Sequence, residues 1–66
     1  MSTLHATLVR LAHERLDKAD ALLAAQGATW AVIEAYAFAA HAFTLARVQW
    51  WAPIATLRAE RCVELL

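Results

Sequence analysis

Apolar residues recur along the first third of the chain with a helical period. Val9, Ala12, Leu16, Ala19 and Leu23 follow one another at steps of three and four, and Leu4, Leu8, Leu11 and Leu22 widen the same stripe. Arg10, His13, Glu14, Asp17, Lys18 and Asp20 fall on the other side, as in an amphipathic helix with one solvated face. The pattern predicts a first helix over about residues 3–25, N-capped by Ser2 or Thr3. Arg15 is the exception, because the helical wheel sets it among the leucines. There it either lies its aliphatic stem along apolar surface or reaches a carboxylate of a second molecule.

Gln26-Gly27-Ala28-Thr29 reads as the turn: Gly27 suits a left-handed helix cap and Thr29 the next N-cap. So short a connection folds the second helix back antiparallel to the first. That helix is expected over about residues 30–51 and is apolar nearly all round, which implies burial on more than one side. One strip is small throughout: Ala31, Ala35, Ala39, Ala42 and Ala46. It would let two helix backbones approach closely and is the expected homodimer interface. The next strip is large: Val32, Tyr36, Phe43, Arg47 and Trp50. The remaining side holds Trp30, Glu34, Phe38, His41 and Leu45. The single stripe of the first helix covers one of these sides, so the surplus asks for a second chain or a partner. Pro53 is expected to stop or kink the second helix and to start a less periodic third one over about residues 54–65. The expected architecture is all-α: one domain over residues 1–66, an antiparallel hairpin plus a short third helix, pairing as a homodimeric bundle.

Composition supports this class. Ala fills 17 of the 66 positions and Leu 10, with one Gly, one Pro and one Ser, which excludes the turn-rich sandwiches and barrels. A chain this short buries only about 60% of its unfolded surface, so its core is thin. Charges balance overall and in each half: Arg10, Arg15 and Lys18 against Glu14, Asp17 and Asp20, then Arg47, Arg58 and Arg61 against Glu34, Glu60 and Glu64. A nucleic-acid binder shows a basic excess on one face, and none is visible. Residues 28–46 are long and apolar enough to raise a membrane span, but Glu34 and His41 interrupt them. A carboxylate near the bilayer centre costs about 2.5–3.5 kcal/mol, so a buried helix in a soluble assembly is the better reading. Met1-Ser2-Thr3-Leu4-His5 lacks the basic and apolar segments of a secretory signal, and the single Cys62 fits a reducing compartment. The expectation is a cytoplasmic protein.

No set of residues carries chemistry. His13 and Asp17 share a helix face, but two ligands do not make a metal site. Glu34 and His41 also share a face. A buried carboxylate needs a partner, and His41 or an Arg of another chain would serve as a structural one. A lone Ser excludes a serine triad, Cys62 reads as a small buried residue, and there is no phosphate loop. No catalytic residue, metal or cofactor is therefore expected. Tyr36, Arg47, Trp50 and Trp51, with Glu34 beside them, form the candidate partner surface, because Trp, Tyr and Arg dominate binding hot spots. The two tryptophans lie about 100° apart on the wheel, so one of them should be open to solvent.

In size, lack of catalytic residues and an aromatic second helix, the chain resembles small phage-encoded helical proteins that inhibit host regulators, such as anti-activators of quorum-sensing receptors. That resemblance implies a non-enzymatic module that binds a host protein, such as a transcriptional regulator, and inhibits it. Over about residues 2–51 the hairpin is also similar in architecture to Rop-like dimers. This implies RNA binding, although Glu14, Asp17 and Asp20 interrupt the basic stripe such binding uses. A small membrane-associated subunit is the third possibility.

Overall fold

The computed structural model describes residues 3–66. Three helices follow one another: α1 (Thr3–Gln26), α2 (Trp30–Leu45) and α3 (Trp51–Leu65). Thr3 is the first helical residue rather than a cap, and its carbonyl accepts the Thr7 hydroxyl at 2.9 Å. The alternative cap, Ser2, lies outside the described residues.

The first connection follows from local chemistry. Gly27 takes φ 75°, and its amide donates to the Leu23 carbonyl at 2.8 Å, closing α1 with a left-handed residue. A Cβ at Gly27 would meet nothing within 4 Å, so glycine is favoured there by its conformation and not by space. Thr29 caps α2, its hydroxyl accepting the Val32 amide at 3.3 Å. α2 then runs back along α1, as the pairs His13–Phe43, Arg15–Phe38 and Asp20–Tyr36 show.

The second connection departs from expectation. α2 ends at Leu45, about six residues before the expected stop, and Pro53 does not end it. Arg47 adopts φ 60°. Its amide donates to Thr44 at 3.1 Å, and the Val48 amide reaches the Phe43 carbonyl at 3.0 Å. This is a Schellman motif with arginine where glycine is usual. A left-handed arginine costs about 1–2 kcal/mol, so burial must offset it. Val48 packs on the core, and Trp51 stacks on Phe43 with ring centroids 6.0 Å apart. Pro53 sits in the first turn of α3, where its missing amide has no carbonyl to bond. α3 returns antiparallel to α2: Trp51 meets Phe43 at one end, and Arg58 lies beside Tyr36 and Asp20 further on.

α2 packs against both α1 and α3 along its length, while α1 and α3 meet through side chains at Asp20–Arg58 and His13–Trp51. The core consists of Ala12, Leu16, Ala19, Val32, Tyr36, Ala39, Phe43, Ala46, Ala55 and Cys62. Half of these are alanines, so the helices approach closely but enclose little apolar mass. Among the described residues ten large hydrophobic side chains stay exposed. The chain exposes 4656 Å², against about 4,200 Å² expected for a compact protein of this mass.

The small strip of α2 is corrected by this packing. Ala39 and Ala46 are fully enclosed, and Ala35 and Ala42 pack half-buried against the core. Ala31 and Ala35 line a groove with Arg15, Lys18 and Leu22 of α1. Ala31 alone of the strip is exposed. Ala39 and Ala46 are therefore enclosed within the chain itself, while Ala31 and Ala35 border an open groove beside α1.

Candidate functional site

The residues expected to form one partner surface are separated by the fold. Tyr36 is fully buried, and its hydroxyl donates to Asp20 Oδ1, while Arg58 pairs with Asp20 Oδ2 at 2.9 Å. Burial first, then the Asp20 hydrogen bond and charge, hold the Tyr36 phenol well above its ordinary range. Tyr36 is thus a core residue that links all three helices, which corrects its place among the surface candidates. Trp51 is half-buried: it stacks on Phe43 and meets the edge of His13 at 5.2 Å. His13 itself packs edge-on against Phe43 at 4.9 Å, so it leaves the solvated face on which its position in α1 had set it.

Glu34 is exposed and needs no buried partner, a second correction. It shares a shallow cleft with Ala37, Phe38 and His41 on the uncovered side of α2. Arg15 sits over the Phe38 ring, 5.4 Å from its centroid.

Arg47 and Trp50 remain at the surface, in the connection between α2 and α3. Arg47 lines a broad groove with Val48, Gln49, Pro53, Thr56 and Leu57. Trp50 is 72% exposed and Leu57 63%. Trp50 has helical backbone angles and caps α3, so its side chain continues the α3 wheel. Trp50, Ile54, Leu57 and Arg61 stand at i, i+4, i+7 and i+11. That spacing makes a single stripe, turned about 120° around the helix from the buried Ala55 and Cys62. Ile54, Leu57 and Arg61 border one depression with Arg58.

Ile54 and Leu57 were missed as site residues because a helix assumed to begin at Pro53 loses its link to Trp50. The step of four, then three, then four from Trp50 was the available signal. Asp20 and Arg58, which tie the helices together around Tyr36, left no mark in either helix's own periodicity.

Among the described residues no group of three or more His, Cys, Asp or Glu side chains could hold a metal ion. No helix among them is long and apolar enough to cross a membrane. No protein-family model, curated protein or solved structure matches the chain.

Proposed function

We propose that this chain is a non-enzymatic interaction module that binds another protein and inhibits it, with the outer stripe of α3 as the contact. The observation that carries this reading is the exposure of Trp50 and Leu57 in line with Ile54 and Arg61, on a helix already anchored by its opposite side. An amphipathic helix presenting anchors at i, i+4 and i+7 fits an apolar groove on a partner. On this chain Arg47 and Glu60 border the groove beside the stripe, so its rim carries both signs of charge. Aromatic and arginine anchors of this kind carry most of the energy in protein interfaces.

The test begins with a tagged chain in its native host, followed by titration of the purified candidate partner. Wild type should bind a single protein, and Trp50→Ala should weaken that complex about 30-fold or more. The reading fails if Trp50→Ala and Leu57→Ala bind as wild type does. It also fails if the chain retains RNA with an affinity that falls steeply with salt.

A further inference from the structure

The uncovered side of α1 and α2 is separate from the α3 stripe and carries its own apolar set. Phe38 is 60% exposed, Leu45 59%, Leu11 40% and Leu4 67%. The antiparallel register sets Arg15 level with Phe38. One turn back toward the start of α1, Leu11 then lies between the levels of Phe38 and Leu45, and toward the other end Lys18 borders the same groove as Glu34. Arg15, Lys18 and Glu34 line one groove, with both cations on α1 and the carboxylate on α2. Within the chain neither cation closes an ion pair with Glu34; the ion pairs among the described residues are Arg10–Glu14 and Asp20–Arg58.

We propose that this face binds a second copy of the same chain about a two-fold axis parallel to the helices, with α1 of each copy lying over α2 of the other. The charges select the occupant and the orientation. Rotation about such an axis keeps every residue at its own height and exchanges the two helices. Arg15 and Lys18 of each copy then face the partner's Glu34, and Leu11 faces the apolar side of the partner's α2. The other in-plane axis would lay α1 on α1 and set the cations against each other. An anionic membrane would favour a basic rim, whereas the carboxylates Glu14 and Glu34 balance Arg15 and Lys18 here. A small chain with a thin core and no disulfide gains the most from such pairing. The proposal is independent of the α3 reading, because the two surfaces share no residue.

Sedimentation equilibrium on the full chain tests it, with helicity followed by circular dichroism. Wild type should sediment at twice its 7.3 kDa mass at micromolar concentration. Lys18→Glu and Glu34→Lys should each raise the dimer dissociation constant about 10-fold or more, and combining them should return it to within about 3-fold of wild type. Lys18 is the residue to reverse, because Arg15 is engaged with Phe38. Phe38→Ala should weaken the dimer about 30-fold. A folded monomer at 100 µM overturns the proposal (on the order of a weak encounter). So does a dimer indifferent to these variants, or singles that weaken without rescue in the combination. Loss of α3 partner binding alone, with this dimer intact, would count against the α3 reading only.

Discussion

Replacing Arg47 by glycine should make the protein more stable. Arg47 holds φ 60° at the end of α2, where the Thr44 and Phe43 carbonyls are satisfied by its own amide and that of Val48. Its Cβ costs about 1–2 kcal/mol in this left-handed conformation. Glycine removes that penalty but has more freedom in the unfolded chain, which returns about 0.5–1 kcal/mol. The net gain centres on about 0.75 kcal/mol, and at about 4–8 °C per kcal/mol for a domain this small it raises the melting temperature by about 3–6 °C. Arg47→Ala separates backbone from guanidinium, since alanine keeps the Cβ and loses the charge. It should melt with wild type or slightly below. Thermal unfolding followed by circular dichroism, at one fixed protein concentration, reads all three chains. An Arg47→Gly protein no more stable than Arg47→Ala would refute the strained Schellman closure and restore an unbroken second helix. Glycine here should also leave α3 in place, so any loss of partner binding can be assigned to the missing guanidinium.

Further outcomes follow from the core. Asp20→Ala strips the buried Tyr36 hydroxyl of its acceptor and should destabilise by about 1–3 kcal/mol, measured by urea unfolding. The folded state holds the Tyr36 phenol protonated above its ordinary value of 10.0. That stability is complete below pH 10 and is lost as the pH rises further and the unfolded chain ionises, a slope that Tyr36→Phe should reduce in alkaline titration. Ala39→Leu should overpack the α1–α2 contact and destabilise by about 1–3 kcal/mol. Pro53→Ala should change stability by less than about 1 kcal/mol and leave the end of α2 at Leu45, because the proline occupies the first turn of α3. Backbone amide chemical shifts check that boundary.

The parts of the fold that were legible in the sequence are those encoded within a few residues. Gly27 and Thr29 carry the first turn by their own backbone and side-chain chemistry. The core face of α1, through Ala12, Leu16 and Ala19, follows from helical period alone. The break at Arg47 has no local signal, since Ala46, Arg47 and Val48 include neither glycine nor proline. It is imposed from a distance, by the burial of Val48 and the Phe43–Trp51 stack. Once the helical phase is reset there, a wheel drawn straight through residues 30–51 misplaces everything after it. Trp50 leaves the strip of Phe43 and joins Ile54 and Leu57 instead. A helix apolar on every side likewise does not reveal which side its own chain covers. That is why Tyr36 could be read as surface, and why Ala39 and Ala46, which the chain itself encloses, could be placed between two molecules.

The α3 stripe is tested most directly by position-specific cross-linking in the native host. A photoreactive residue is placed at Leu57, on the stripe, or at Ala21, which is exposed on α1 and turned away from its core face. One protein adduct should form from position 57, be absent from position 21 and disappear when Trp50→Ala is added. No adduct from position 57, or the same adducts from both positions regardless of Trp50, would contradict it.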